Sequence, residues 1–245
     1  MDKRPVEDLE AAPGRGRRRA VRSYVLRAGR VTEGQKRALE ELWPVYGVEP
    51  GSSVLDFTEL FGNDHPVIME IGFGNGEATW QMAKAQPREN YLGVEVHRPG
   101  VGRLLLKIEE HSLKNIRIAC EDAVELLRTR VPAASLHGIR IYFPDPWPKK
   151  RHHKRRMIQP PFLSLLAGRM KPGGVLHLAT DWEPYAEHML EVMQAAPEFE
   201  NLSPGGGFSP KPDWRPPTKY EQRGKRLGHR VADLVYRRTE QGESD

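Results

Sequence analysis

The stretch V-I-M-E-I-G-F-G-N-G-E, residues 67–77, decides the fold because an apolar run changes there into a glycine-rich turn. The run Val67–Ile71 predicts a buried strand, and the residues Glu77–Ala85 predict a helix. Glycine has no Cβ, so the turn between them lets the backbone approach a ligand closely. A strand, a glycine turn and a helix in this order predict the first unit of a doubly wound α/β sheet.

Strand and helix patterns continue to alternate after this unit. Apolar runs predict strands at residues 91–96, 116–120, 139–143 and 174–179, and helices are predicted after them at residues 100–111, 123–130, 157–170 and 183–194. Five short apolar runs separated by helices predict a parallel sheet covered on both faces. Residues 230–238 alternate in polarity and predict a terminal strand. A further helix is expected from its cap, Thr32, to Trp43, closed by Pro44.

The length of 245 residues is sufficient for one domain with a full core. Residues 1–23 are rich in charge, glycine and alanine, so we expect a disordered N-terminal extension. A single domain is expected over residues 24–239, followed by an acidic tail at residues 240–245. The arginine cluster at residues 15–19 suits either contact with an RNA backbone or a solvated tail, and the sequence leaves both open.

Charge and cysteine content narrow the class of protein. Lysine and arginine number 38 against 33 acidic residues, which gives a net charge of +5. This excess of positive charge is modest, so the positions of the charges along the chain are more informative than the net charge. The single cysteine excludes an intrachain disulfide and a multi-cysteine zinc site, which fits a reducing compartment. No window is long and apolar enough for a membrane span, and we expect a cytoplasmic protein.

The spacing of Gly72, Gly74 and Gly76 indicates the kind of ligand. A dinucleotide fingerprint requires a small residue where this sequence has Glu77. A carboxylate there would disfavour a pyrophosphate at the helix N-terminus. The pattern therefore favours a cationic, phosphate-free ligand, and S-adenosylmethionine, with its ammonium, sulfonium and ribose hydroxyls, is such a ligand.

Three acids follow or end successive predicted strands. Glu70 lies near the end of the first strand, and Glu95 lies about 20 residues beyond the glycine turn, where an acid accepts hydrogen bonds from ribose hydroxyls. Asp122 follows the third strand, in position to accept from an adenine amino group. The alternative is that these acids only cap helices.

The stretch I-R-I-Y-F-P-D-P-W-P-K-K-R-H-H-K-R-R, residues 139–156, begins as a strand and ends as a cationic run. Its prolines force a shaped loop at the strand's carboxyl end, where open α/β sheets bind ligands. Asp145 and Trp147 lie in that loop. An acid, an aromatic side chain and a phosphate-binding run together suggest an enzyme that acts on a nucleic-acid base.

The basic run favours phosphate binding because it adjoins this loop, although such runs are usually solvated faces. Its two histidines have no acid or cysteine at metal-ligand spacing, so we expect no metal site.

Five segments together resemble the bacterial tRNA (guanine-N7)-methyltransferases. They are E-I-G-F-G-N-G, G-V-E-V-H-R-P-G-V-G, F-P-D-P-W-P-K-K-R-H-H-K-R-R, A-T-D-W-E-P-Y-A-E-H-M and T-K-Y-E-Q-R-G-K-R-L-G-H. The resemblance covers residues 22–238. It implies a class I methyltransferase fold, with a doubly wound, mostly parallel seven-stranded sheet whose last strand is antiparallel. It also implies methyl transfer from S-adenosylmethionine to the variable-loop guanosine at position 46 of tRNA.

The resemblance also implies roles for individual residues. The implied cofactor-binding acids are Glu70, Glu95, Asp122 and Asp145, and Asp145 is also the implied catalytic residue. The implied substrate contacts are Lys149, Asp181, Thr218, Lys219, Tyr220 and Glu221. The implied RNA contacts are Lys150, Arg151, His152, His153, Lys154, Arg155 and Arg156. Family members occur as monomers and dimers, and no obligate protein partner is implied.

The chemistry of guanine N7 sets the expected mechanism. N7 carries a lone pair and no proton, so the transfer is an in-line displacement that needs no general base. Carboxylates directed at the purine would stabilise the positive charge that develops there. Our hypothesis is that Asp145 lies nearest the methyl group and that Asp181 holds the base edge. Trp147 and Trp182 follow these acids and suit either base stacking or packing.

Two other functions are compatible with parts of the pattern. Methyltransferases of exocyclic amines use a related motif with two prolines before the aromatic residue, and Asp145-Pro146-Trp147 lacks the second proline. A tRNA-binding module without catalysis would not need Glu70, the glycine turn, Glu95 and Asp122, so their presence disfavours it.

Overall fold

The computed structural model describes residue 23, residues 29–217, residue 221 and residues 230–240. Residues 1–22 of the extension predicted over 1–23, the expected substrate contacts at residues 218–220, and residues 241–245 of the tail predicted over 240–245 lie outside the described residues. No helix among the described residues is both long and apolar enough to cross a bilayer.

Helices and strands alternate along the described chain. The helices are α1 (Glu33–Glu41), α2 (Trp43–Tyr46), α3 (Phe57–Phe61), α4 (Glu77–Ala85), α5 (Arg98–Glu110), α6 (Ala123–Thr129), α7 (Pro160–Arg169) and α8 (Glu183–Gln194), with a 3-10 helix at Lys150–Arg155. The strands are β1 (Gly47–Val48), β2 (Val67–Ile71), β3 (Asn90–Val94), β4 (Ile116–Ala119), β5 (Leu136–Tyr142), β6 (Met170–Thr180), β7 (Phe199–Asn201) and β8 (Ala232–Arg238).

Within the described residues, eight strands form one sheet in the order β1-β4-β3-β2-β5-β6-β8-β7. The strands from β1 to β6 are parallel, and β8 runs antiparallel between β6 and β7. The expected doubly wound α/β fold with an antiparallel last strand is therefore confirmed. The strand beyond the seven expected is β1, whose two residues are too few to show an alternating pattern.

Alternate residues of the strands pack on opposite faces of the sheet. On β2, Met69 belongs to the core cluster that includes Leu163 of α7 and Met189 of α8, whereas Ile68 belongs to a second cluster with Met82 of α4 and Leu105 of α5. Since both faces are covered, β2 is buried along its whole length. The carboxyl ends of β2 to β6 consequently lie along one edge, which places the polar turns that follow them.

Several element boundaries differ from the sequence prediction. Thr32 caps α1 with a capping box, as predicted, but Pro44 does not close that helix. It lies in the first turn of the separate helix α2, a position that tolerates proline because no intrahelical N–H is needed there. The helix expected from residue 157 begins at Pro160, because the basic run before it forms the 3-10 helix.

Candidate active site

A cleft of about 780 Å³ opens at the carboxyl edge of the central strands. Its lining includes Glu70, Gly72, Gly74, Glu95, Tyr142 and Asp145. A depression of about 70 Å³ adjoins it, shares Gly72 and Glu95, and adds Asp122. The fold thus brings the predicted glycine turn and all four predicted cofactor acids to one site.

The glycine turn between β2 and α4 has left-handed backbone at three positions. The φ angles of Gly72, Gly74 and Gly76 are 74°, 59° and 73°, values that residues with a side chain rarely adopt. Helix α5 packs directly against the turn, because a Cβ on Gly100 would lie 2.0 Å from the carbonyl oxygen of Gly74. The turn therefore exposes main-chain atoms to the cleft, and the packing of α5 against it fixes its position.

Glu70 forms the buried floor of the cleft. Its side chain is only 3% exposed, and one carboxylate oxygen accepts a hydrogen bond of 2.6 Å from the Thr79 hydroxyl. Burial raises the pKa of Glu70 to about 7, although the hydrogen bond from Thr79 and the charge of Arg140 oppose the shift. A cation in the cleft would favour the ionised form of this carboxyl group.

Main-chain amides hold Glu95 at the end of β3. Its Oε1 accepts from the amides of Val96 and His97 at 2.7 and 3.0 Å, and its Oε2 accepts from the amide of Gly74 at 2.9 Å. These bonds connect the end of β3 to the glycine turn. A carboxylate oxygen can accept two hydrogen bonds, so Oε2 can still accept one from a ligand hydroxyl.

Asp122 has the helix-capping role that the sequence left as an alternative. Its Oδ1 accepts from the amides of Val124 and Glu125 at 2.8 and 3.1 Å, which caps α6. The cap does not use Oδ2, and the residue also lines the smaller depression. Capping and ligand binding are therefore compatible here. The capping alternative does not apply to Glu70, which lies within β2.

The loop that carries Asp145 is strained on both sides of that residue. Phe143 and Trp147 have φ angles of 54° and 45°, which is uncommon for bulky side chains. The Phe143 amide donates to Ala179 O at 2.7 Å, and the Arg156 side chain donates to Pro146 O at 3.0 Å. Such strain persists where neighbouring contacts fix the backbone, and it is concentrated at functional sites.

Arg156 departs from its predicted role as an RNA contact. It is 5% exposed, and its guanidinium lies 4.9 Å from the ring centre of Tyr185 while donating to Pro146. The side chain supports the Asp145 loop from inside the protein. The exposed members of the basic run are Lys149, Lys150, Arg151 and Lys154, and those partly exposed are His152, His153 and Arg155.

Trp147 is packed into its surroundings. Its indole N–H donates to the carbonyl of Ser23 at 3.1 Å, and the Arg155 guanidinium lies 4.0 Å from its ring centre. These contacts favour the packing interpretation over base stacking. Asp181 is partly buried after β6, and Trp182 beside it is 36% exposed. Tyr142 at the end of β5 pairs with Ala179 near the end of β6, so the segments that carry Asp145 and Asp181 follow the ends of two neighbouring strands.

Glu221, predicted to contact the substrate, is engaged in buried ion pairs. Arg215 Nη1 lies 2.7 Å from its carboxylate and Lys211 Nζ lies 3.2 Å away, and the residue is 1% exposed. Arg215 also donates two hydrogen bonds to Asp233.

The sequence prediction missed this group of charges and its neighbour His177. The available signal was a polar residue inside each of two apolar runs, namely His177 in L-H-L-A and Asp233 in A-D-L-V. No three metal-ligating side chains group together in the described ranges.

Comparisons with known proteins identify the family. A family model described as "Putative methyltransferase" matches residues 64–234. The tRNA (guanine-N(7)-)-methyltransferase of Halorhodospira halophila is 57% identical over 220 residues, covering 89% of this chain and 95% of that protein. The protein of the same name from Streptomyces avermitilis is 55% identical over 222 residues, covering 91% and 77%.

Solved structures share the fold at low sequence identity. A mutant of the 16S rRNA (adenine(1408)-N(1))-methyltransferase from Catenulisporales acidiphilia, with cosubstrate SAM, has a TM-score of 0.54 and 16% identity over 78% of this chain and 95% of that one. The 16S rRNA methyltransferase KamB has a TM-score of 0.53 and 15% identity over 76% and 94%. The resemblance found in the sequence is confirmed by the relatives: the chain belongs to the family of tRNA (guanine-N(7)-)-methyltransferases.

Proposed function

We propose that this protein transfers a methyl group from S-adenosylmethionine to N7 of the variable-loop guanosine at position 46 of tRNA. One observation carries the proposal: Asp145 lines the same cleft as Glu70 and Glu95, and the exposed basic side chains begin four residues after it. An acidic cleft for a cation and a basic rim for a polyanion thus meet at Asp145.

The residues of the cleft fit S-adenosylmethionine. The cleft's volume of about 780 Å³ lies within the usual range for small-molecule sites. The glycine turn offers backbone without side chains, and Glu70 offers a carboxylate for an ammonium group. Glu95 and Asp122 each keep an oxygen for hydroxyl or amino donors. S-adenosylmethionine supplies a methyl group on a positively charged sulfur.

Asp145 and Asp181 act on the guanine in this proposal. N7 has no proton to remove, so no residue serves as a base. Asp145 stabilises the positive charge that the purine acquires, and the strained loop fixes its position before the substrate arrives. Asp181 accepts hydrogen bonds from the guanine N1–H and 2-amino group, which adenine cannot reproduce. Positioning of this kind can supply about 7–11 kcal/mol of the barrier.

The basic run binds the tRNA backbone. Lys149, Lys150, Arg151 and Lys154 are exposed and suit phosphate contacts. His152, His153 and Arg155 add to the same face, whereas Arg156 supports the Asp145 loop. The proposal includes a single catalytic domain over residues 24–239 and a cytoplasmic location, and it requires no protein partner.

The direct test compares two tRNA transcripts that differ only at the target guanosine. One carries guanosine and the other 7-deazaguanosine, which lacks only the nucleophilic nitrogen. We expect 7-methylguanosine in the first transcript by nucleoside analysis and no methylation of the second. Equal methylation of both transcripts, or a methylated exocyclic amine, would contradict the proposal.

The matched variants are Asp145→Asn and Asp181→Asn, measured in single turnovers. We expect Asp145→Asn to slow transfer at saturating tRNA, because the developing charge loses its partner. Asp181→Asn should mainly weaken discrimination between guanosine and adenosine transcripts. A near-normal rate for Asp145→Asn would remove that residue from the mechanism.

A further inference from the structure

One tryptophan of the described residues is both widely exposed and fixed in position. Trp214 is 42% exposed, and its indole N–H donates to His177 Nδ1 at 3.2 Å. The guanidinium of Arg140 lies over the indole ring, 5.7 Å from its centre, and Arg140 itself is buried. The exposed area of the ring therefore lies on the sides that face away from Arg140 and His177.

The acceptor of that hydrogen bond is itself fixed inside the protein. An indole N–H can only donate, so Nδ1 of His177 accepts, and Nε2 carries the proton that binds Asp233 at 2.7 Å. Burial lowers the pKa of His177 to about 4, so this ring is neutral at physiological pH. The Tyr142 hydroxyl also lies 3.0 Å from Nδ1. A buried hydrogen-bond network therefore fixes the orientation of Trp214.

These contacts place the indole close to the strand ends that precede the Asp145 loop. His177 lies three residues before the end of β6, which is about 10 Å along the strand. The guanidinium of Arg215, the next residue in the chain after Trp214, lies 5.9 Å from the ring centre of Phe143. Phe143 directly follows β5 and begins the Asp145 loop. Residues 214 and 215 therefore extend along the sheet toward this loop.

The two tryptophans that the sequence suggested for base stacking lack this combination. Trp147 is partly buried, and its indole contacts Ser23 and Arg155. Trp182 is 36% exposed, but its indole N–H donates to no partner within the described residues. An aromatic ring that is exposed and already fixed loses little side-chain freedom when a base stacks on it. Of the three tryptophans, Trp214 is therefore the best preorganised for stacking.

A tRNA substrate supplies a suitable flat partner beside the target. An enzyme that acts on a base within a folded RNA turns that base out of its stack, which leaves each neighbouring base without one stacking partner. Aromatic side chains replace such a partner in proteins that bind single-stranded RNA. A base next to the target guanosine therefore exposes a face that the indole of Trp214 can cover.

We propose that Trp214 is a stacking site for one base of the tRNA, the base that directly precedes or directly follows the target guanosine. Arg140 and His177 hold the indole from the inside, and the base covers its outer face. This inference rests on the proposed function, because the position of the target defines the flanking bases. Trp214 acts neither on the cofactor nor on the transferred methyl group, so its removal lowers tRNA affinity and leaves the rate at saturating tRNA unchanged.

The first test measures the dissociation constant for a tRNA transcript in Trp214→Ala and Trp214→Phe. Loss of a stacked aromatic ring weakens binding by about 5- to 150-fold, and we expect a loss in this range for Trp214→Ala. Trp214→Phe keeps a flat ring without the N–H donor, so it should lose less than about fivefold. Both variants should keep the single-turnover rate at saturating tRNA and the calorimetric affinity for S-adenosylmethionine within about twofold. Unchanged tRNA affinity in Trp214→Ala overturns the proposal.

The matched control is Phe208→Ala, because Phe208 is an aromatic residue of the same segment with the same exposed fraction, 42%. It should bind the transcript as the wild type does. An equal loss of affinity in Phe208→Ala and Trp214→Ala would reveal a general effect of exposed rings and would overturn the proposal. If Trp214→Ala does not fold, Trp214→Leu replaces it, because leucine keeps apolar volume without a flat face.

The second test combines the protein variants with ligated tRNAs that lack one base. The abasic nucleotide stands directly before the target, directly after it, or at the target itself. We expect one flanking abasic site to weaken wild-type binding about as much as Trp214→Ala does, with no further loss when the two changes are combined. A structural defect in Trp214→Ala would instead add to every abasic site. Additive losses at both flanking positions, or coupling to the target nucleotide alone, overturn the stacking site.

Failure of this inference and failure of the proposed function give different results. If the wild type forms 7-methylguanosine at the expected position but Trp214 couples to neither flanking base, only the stacking site is wrong. If the wild type methylates a different nucleotide, the proposed function is wrong. Coupling of Trp214 to a base beside the nucleotide that is then methylated still supports the stacking site, and its absence there overturns it.

Discussion

The region from β2 to α6, which carries the predicted cofactor acids Glu70, Glu95 and Asp122 and which we call the cofactor half of the molecule, and the half built on β5, β6 and β8 hold their polar groups in different ways. In the cofactor half, Glu95 accepts from the amides of the next two residues, and Asp122 caps the helix that follows it. In the other half, side chains bind side chains across long stretches of sequence. Arg215 meets Asp233 18 residues away, and His177 meets Asp233 across 56.

This difference determines how each half should respond to mutation. Main-chain donors remain when a side chain changes, so the cofactor half should lose ligand affinity and keep most of its stability. In the other half, Arg215 and its partners Glu221 and Asp233 are almost fully buried, and the Arg215 guanidinium pairs with both carboxylates. Removal of the Arg215 guanidinium takes one ion pair from each of these two buried carboxylates, so the free energy of unfolding should fall.

The largest effect is expected for Arg215→Met. Asp233 and Glu221 would lose their shared partner while remaining buried, which should lower the free energy of unfolding by about 3–5 kcal/mol. Urea denaturation followed by circular dichroism measures this change. Arg237→Met is the matched control, because its ion pair is exposed and should contribute less than about 1 kcal/mol. Equal losses of unfolding free energy in the two variants would show that the burial of the Arg215 ion pairs adds nothing to their contribution.

The sequence predicted where the residues of the cofactor half lie, because the signals there are local, and their binding roles stay predictions. The apolar run of β2, the three glycines and the acids near the ends of β2 and β3 lie within one βαβ unit, where a short motif implies a short distance. The succession of strands and helices followed from the same alternation, which left only the short strands β1 and β7 undetected.

The other half could not be predicted because its partners are distant in sequence. Nothing in the periodicity of L-H-L-A indicates that His177 will meet Asp233. Arg156 is buried with its guanidinium against the ring of Tyr185, and Tyr185 belongs to α8, a later helix of the chain. The motif that contains Glu221 likewise gives no sign of its ion pairs with Arg215 and Lys211, and its role as a substrate contact stays a prediction.

The next largest effect concerns the close packing of α5 against the glycine turn. Gly100→Ala would place a Cβ 2.0 Å from Gly74 O, so the turn must shift. Overpacking of this kind costs about 1–3 kcal/mol, and we expect cofactor affinity to fall by about 10- to 100-fold. Gly168→Ala is the matched helical control, because its Cβ would meet nothing within 4 Å. It should leave calorimetric affinity unchanged and raise stability by about 0.5 kcal/mol. Normal affinity in Gly100→Ala would contradict the packing argument.

A smaller effect is expected from the ionisation of Glu70. Its raised pKa, about 7, means that the carboxyl group is neutral at lower pH and gains its charge as the pH rises. Affinity for a cationic cofactor should therefore increase about tenfold between roughly pH 6 and pH 8, as measured by calorimetry. Glu70→Gln should bind weakly with a flat profile. His97 also lines the cleft, so His97→Asn must keep the dependence if Glu70 is its source.

The smallest effect separates the two roles of Asp122. Asp122→Ala removes both the α6 cap and the free oxygen, and should lower the free energy of unfolding by about 1 kcal/mol and weaken cofactor binding. Asp122→Ser keeps a capping oxygen, so stability should return almost to the wild-type value while affinity stays reduced. Urea denaturation measures the stability of the two variants, and calorimetry measures their affinity for the cofactor. If serine restores both quantities, Asp122 is only a cap, and the cofactor half depends on main-chain donors, the glycine turn, Glu70 and Glu95 alone.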